Sequence, residues 1–249
     1  ALDKNKRIKF ENENIKGSIS LKGGLIDDLI FKKYTETLDG SDNVVLLNPR
    51  NLENGYFVET GWATNVDVEI PGANTLWEIE GNTNLGPNNP IKLVWENKEG
   101  LKFEKKISLD NKFLFTIDQK ITNSSQKNYK FYPYGQITRN KAPQVTNFYI
   151  LHEGLIGVFD EQLVEKDYDD IEDKKFSINA KSGWTGITDK FWIVTMIPEN
   201  NREFRGDFEY KKNYKANFIY TNYDEVGSGD GVSSKIKIII AAKETDVID

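Results

Sequence analysis

The chain has 249 residues, 38% hydrophobic and 12% aromatic, enough for a sizeable core, although length alone does not choose between one large β domain and two ordinary ones. A formal charge of -6 and a pI near 5.1 exclude the strongly basic surface on which non-specific nucleic-acid binding depends. Zero cysteines exclude disulfides, thiolate metal sites and cysteine nucleophiles, and there is no apolar run of roughly 18 residues to span a membrane.

The basic cluster Lys4 to Arg7 reads as a solvated face. Period-two alternation begins at Ile15, Gly17, Ile19 and Leu21, set against Lys16, Ser18, Ser20 and Lys22, which predicts a strand with one buried face. Residues 72 to 90 carry repeated Asn, Gly and Pro and are expected to form an exposed, mobile loop, with Trp77 the most exposed tryptophan. The alternation returns at 91 to 95, 101 to 109 and 113 to 121, joined by the turn sequences Asn97 to Gly100 and Asp110 to Lys112, and predicts a β-meander. Asn123-Ser124-Ser125 matches a glycosylation sequon and reads as a polar turn.

Further strands are expected at 129 to 134, 182 to 188, 191 to 197, 214 to 223 and 235 to 242. Tyr214, Ala216, Phe218 and Tyr220 share one face of the fourth, and the Ile-Ile-Ile-Ala-Ala run of the last fits burial on both faces. Gln162 to Ile171 and the final residues read as short helices, with Thr245 or Asp246 as a cap, and 224 to 234 as a second glycine-rich loop. The fold class is therefore all-β with minor α, in stacked antiparallel sheets. No repeat or linker divides it, so residues 1 to 249 are expected to form one domain.

Few residues point to chemistry. His152 beside Glu153 is the one histidine–carboxylate neighbour pair, and on a regular strand the two would face opposite ways, so His152 reads as structural. Asp167, Asp169, Asp170, Glu172 and Asp173 form an acidic surface; Ile171 stands where a calcium loop needs an oxygen ligand. The tryptophans at 62, 77, 95, 184 and 192 are core or contact residues, with Trp184 expected to fill the sheet interface. The glycines at 227, 229 and 231 lack the strand-then-helix context of a phosphate loop. No catalytic, cofactor-binding or metal-ligating residue is assigned, no cofactor is expected, and the partner-binding residues are left unknown.

From Phe148 to Pro198 the chain orders a Leu-His-Glu-Gly-Leu-Ile-Gly run, the acidic segment, and Ser-Gly-Trp-x-Gly-Ile-Thr-Asp-Lys-Phe-Trp ending at Trp192, closed by Ile197 and Pro198. Upstream come Ile19 to Leu29, Tyr34, Val44 to Pro49, Tyr56, Phe57, Gly61 and Trp62. This order resembles, nearly end to end, the large periplasmic domain of YidC-type membrane protein insertases. The resemblance implies an extended two-sheet sandwich of galactose-mutarotase-like type, the β-supersandwich. It implies a periplasmic location at the bacterial inner membrane, as a monomeric, soluble part of an integral membrane protein. The role implied is a non-catalytic scaffold or docking surface for membrane-protein substrates and Sec translocon components, with no nucleic-acid partner. Residues 243 to 249 would begin a helix or linker toward the membrane core. The rival is a carbohydrate-binding or mutarotase-like sugar enzyme, disfavoured because mutarotases place more than one histidine in their cleft and this chain has one.

Overall fold

The structure, a computed structural model, describes residues 6–36, 40, 42–143 and 152–243. The expected C-terminal helix beyond Lys243, the start of the Phe148 stretch and the first half of the Lys4 cluster lie outside them. The chain opens with β1 (Arg7–Glu11), β2 (Ile15–Ser20), β3 (Leu25–Thr35), β4 (Asn43–Leu47) and β5 (Tyr56–Ala63). Next come β6 (Glu78–Glu80), β7 (Asn84–Leu85), β8 (Ile91–Glu96), β9 (Leu101–Leu109), β10 (Leu114–Asn123) and β11 (Tyr129–Arg139). After residue 151 follow β12 (Gly154–Phe159), β13 (Gln162–Asp167), α1 (Tyr168–Asp173), β14 (Phe176–Ala180), β15 (Gly183–Thr188) and β16 (Trp192–Ile197). The chain then runs through β17 (Phe204–Tyr210), β18 (Tyr214–Tyr220), β19 (Asp224–Val226) and β20 (Gly231–Ala242).

These strands form two stacked sheets. One has the order β14-β17-β18-β11-β5-β3-β2-β1-β7, with β4 beside β3 and β19 beside β11; the other runs β13-β12-β15-β16-β20-β10-β9-β8-β6. All pairs are antiparallel except β1 with β7. The expected meander is β8-β9-β10, and its first turn shows why Asn97 and Gly100 stand there. The Asn97 side chain accepts from the backbone N–H groups of Glu99 and Leu101, while Gly100 takes φ +85°. Tyr214, Ala216, Phe218 and Tyr220 are all buried on one face of β18, as the alternation requires.

The glycines of the Leu-His-Glu-Gly and Ser-Gly-Trp motifs are explained by close sheet packing. A Cβ on Gly206 would fall 2.4 Å, and one on Gly157 2.7 Å, from the ring of Phe159, which crosses from β12 to pack among Phe176, Phe204 and Phe208 of the opposite sheet. A Cβ on Gly183 would fall 1.9 Å from the Val158 carbonyl oxygen and one on Gly186 2.3 Å from that of Val194, both on neighbouring strands.

Four expectations need correction. Gln162 to Asp167 is strand, paired with β12 along its length, and only Tyr168 to Asp173 is helical; strand pairing overrode the local helical pattern. The 72 to 90 region contains β6 and β7 and its Trp77 is only 2% exposed, because the backbone N–H of Trp77 donates to Leu21 and carries the indole under the β2–β3 turn. The 224 to 234 region holds β19 and the first residues of β20. Trp184 is half-buried at the edge of β15 and stands outside the main hydrophobic cluster.

Two polar residues occupy core-facing positions. Lys105 and Gln119 are cross-strand partners on β9 and β10, 2% and 1% exposed, and both reach across the sandwich to β5. The Lys105 ammonium donates to the Thr60 carbonyl and the Gln119 amide to that of Gly61. β3 pairs with β5 at a single position, Ile26 with Val58, so β5 is thinly supported on that side and the two side chains brace it. Burial lowers the Lys105 pKa to about 8, against an opposing pull from Glu59. Because the folded pKa lies below the unfolded value, the unfolded chain binds more protons between about pH 8 and 10.5, and stability rises with pH across that window. Relative to a Lys105→Met variant, the wild type is expected to gain about 3 kcal/mol between the two ends. Urea unfolding of both proteins at several pH values checks this.

Asn123, at the end of β10, is fully buried, and its amide donates to the carbonyls of Lys127, Val226 and Gly227 while its oxygen accepts from Ser125. The sequon is thus the pin of a turn. Asn123→Ala is expected to cost about 2 kcal/mol by stranding these carbonyls, measured by thermal or chemical unfolding.

Candidate functional site

A cleft of about 690 Å³ opens where the C-terminal end of β11 meets β4, the Glu53–Asn54 turn and the β15–β16 turn. Its apolar wall is contributed by Val44, Val45 and Leu46 on one side and Phe191 and Trp192 on the other. Val45 is 41% and Phe191 58% exposed, whereas the Trp192 ring stacks 4.7 Å from that of Phe31 and ties this wall to the core. The β15–β16 turn is closed by the Asp189 N–H donating to the Trp192 carbonyl at 2.8 Å, which leaves Phe191 at the tip facing water.

The floor is a charged network. Arg139, the last residue of β11, pairs with Asp189 and lies 3.3 Å from the Tyr168 hydroxyl, and its guanidinium sits 4.7 Å over the Tyr56 ring. Burial raises the Tyr56 phenol well above its ordinary range, with Asp189 adding to the effect. Tyr168 belongs to α1, so the acidic segment plugs this end of the sandwich with Tyr168 and Ile171. At the rim Lys141 pairs with Glu53, both exposed, and the Lys190 amine lies 4.9 Å over Phe191. Exposed pairs of this kind hold geometry more than energy.

His152 and Glu153 precede β12 in irregular backbone, so strand geometry does not separate them as expected. His152 is held instead by local partners: Nε2 lies 3.1 Å from the Leu155 carbonyl and Nδ1 3.2 Å from the Asp167 carboxylate. Glu153 lines the cleft, and the two residues share an adjoining hollow with Asp167 and Tyr168. Of the other acidic residues, Glu172 accepts from the Tyr214 hydroxyl. Among the described residues no three His, Asp or Glu side chains converge as a metal-ligand set. Trp62 and Trp77 are core, and Trp95 and Trp192 pack against it. Sequence reasoning singled out none of Arg139, Asp189 and Phe191 as site residues. The available signal was a polar Thr-Asp-Lys tip followed by two aromatics at 188 to 192.

Within the cleft Arg139 pairs with Asp189 and Lys141 with Glu53, Glu153 and Lys190 add one charge of each sign, and the wall of Val44, Val45, Leu46, Phe191 and Trp192 suits the apolar side chains of an extended polypeptide. The architecture is that of the galactose-mutarotase-like sandwiches. A galactose mutarotase related enzyme from Lactobacillus acidophilus aligns over 96% of this chain and 99% of its own with a TM-score of 0.63, at 12% identity. A galactose mutarotase-like protein from Lactobacillus casei ATCC 334 aligns over 95% and 100%, TM-score 0.63, at 9% identity; such identities show the fold alone. The sequence belongs to the YidC periplasmic domain family, whose profile it matches over residues 7–249. It is 52% identical over 250 residues to the membrane protein insertase YidC of Pelagibacter ubique (strain HTCC1062), covering 100% of this chain and 45% of that protein. It is 40% identical over 252 residues to the YidC of Rickettsia akari (strain Hartford), covering 98% and 45%. The chain therefore spans a little under half the length of these relatives. No helix among the described residues is long and apolar enough to cross a membrane.

Proposed function

We propose that this chain is a non-catalytic docking domain of a bacterial inner-membrane insertase, standing on the periplasmic face and receiving an extended segment of a membrane-protein substrate or of a Sec translocon subunit. The observation that carries the reading is the family match over residues 7–249. The cleft between Val45 and Phe191 supplies the place. One domain over residues 1 to 249 is part of this reading, supported by a single hydrophobic cluster that runs from Ile8 to Ala241 across both sheets. Insertion itself belongs to membrane segments of the larger protein. The mutarotase-like fold keeps a sugar-binding alternative in view, because fold does not set function.

Nuclear magnetic resonance titration separates the two. An apolar peptide in extended conformation is expected to shift the resonances of Val45, Phe191 and Trp192, and galactose to leave them unmoved. Shifts with galactose alone, together with accelerated anomer exchange, would establish the sugar reading instead.

A further inference from the structure

We infer that the Lys105 pocket is a binding site for one structural water molecule, held between the ammonium and the indole N–H of Trp77. The cavity is about 20 Å³ and is lined by Gly23, Glu59, Thr60, Trp77, Lys105 and Tyr134, with Pro71 to Ala73 closing over it. That volume admits one water molecule and no sugar or peptide side chain. Two fully covered polar atoms on its wall, Thr60 Oγ1 and Trp77 Nε1, have no hydrogen-bond partner in the protein, on side chains only 5% and 2% exposed.

The Lys105 ammonium carries three N–H groups and gives one to the Thr60 carbonyl. The ammonium and the indole nitrogen lie near one another beside Gly24, the neighbour of the lining residue Gly23: a Cβ on Gly24 would lie 3.1 Å from Trp77 Nε1 and 3.6 Å from Lys105 Nζ. Gly24 has φ +65°, so this close approach depends on a residue without a side chain. The same lining carries acceptors, the Thr60 hydroxyl and the largely buried Glu59 carboxylate, which also lies within hydrogen-bonding reach of Gln136 at 3.4 Å. A group that accepts from Lys105 and Trp77 and donates to Thr60 and Glu59 must do both at once. Water has that valence. A halide could take the donors but would face Glu59 with like charge.

Bound there, the water completes the polarity of a core lysine whose other neighbours are the faces of Trp77 and Trp62, at 5.0 and 6.0 Å. It also joins the 71 to 77 connection to β5 and β9.

The test is a crystal structure of the wild-type domain grown with bromide as the only halide. Density for one light atom within hydrogen-bond distance of Lys105 Nζ and Trp77 Nε1 supports the assignment. An anomalous bromide peak at that position overturns it, and so does an empty cavity. In solution, magnetisation transfer from a long-lived water to the Trp77 indole proton is expected in the wild type and is lost in Lys105→Met. Persistence of an equal transfer in a folded Lys105→Met variant would count against the lysine as a ligand, and its absence in the wild type would remove the site altogether.

Discussion

Gly183→Ala is expected to destabilise the protein by about 4 kcal/mol, the largest single effect of any change considered for this chain. A Cβ at this position would lie 1.9 Å from the carbonyl oxygen of Val158 and 2.8 Å from its carbon, so the contact is with backbone and no rotamer relieves it. The φ of +124° adds conformational strain for any residue with a side chain. Gly183 pairs with Phe159 across the β12–β15 ladder. Forcing these strands apart also lifts Phe159 off Gly206 of the opposite sheet and loosens the aromatic cluster that joins the layers. Denaturant unfolding should show a lower midpoint with an unchanged slope. A loss below about 1 kcal/mol would mean that β15 can shift without disturbing the interface.

The second large effect concerns the cleft floor. Asp189→Ala leaves the Arg139 guanidinium buried beneath Tyr56 and Tyr168 without its carboxylate, and is expected to cost about 3 kcal/mol. The figure sits at the lower end for broken buried pairs because both residues line the cleft, where water can reach the exposed nitrogen. Replacing the pair together, as Arg139→Met with Asp189→Leu, should recover most of the loss, since two apolar side chains carry no desolvation cost. If the single and double variants are equally unstable, the damage comes from repacking around Tyr56 and Trp192 and not from an orphaned charge. The comparison needs only unfolding curves for three proteins.

Much of the fold was legible because a half-buried strand alternates. The meander from Ile91 to Ile121, the strand with one buried face that begins at Ile15, and the buried face of Tyr214 to Tyr220 all follow from that rule with turn chemistry added. It misleads where a strand sits at a sheet edge: Gln162 to Asp167, with Glu165 and Lys166 on the edge strand β13, carries too little apolar pattern to separate it from a helix start. It also assigns Trp77 by its loop-like neighbours, when the residue's fate is decided by a hydrogen bond to Leu21, far away in sequence.

Lys105 was readable in principle. It shares parity with Leu101, Phe103, Ile107 and Leu109, which places it in the core, and only the habit of treating lysine as exposed hides it. The cleft was not readable in the same way. Val45, Arg139 and Phe191 lie on three segments of unrelated pattern, and it takes the pairing of β4 with β3, that of β11 with β5 and the closing of the β15–β16 turn to bring them to one end of the sandwich. The ordered motifs identified the family more sharply than any site because their glycines and aromatics are the residues that set the sheet contacts, as Gly157, Phe159 and Gly183 do here.

The account rests on the cleft as the place where an extended chain docks, and site-specific photocrosslinking in the full-length insertase tests it directly. A photoreactive residue in place of Phe191 is compared with one in place of Lys127, an exposed residue beyond the opposite end of β11, about 30 Å away. During synthesis of a membrane protein the account predicts adducts with the nascent chain or a translocon subunit from position 191 and none above background from position 127. Equal adducts from both positions, or none from 191, would contradict it.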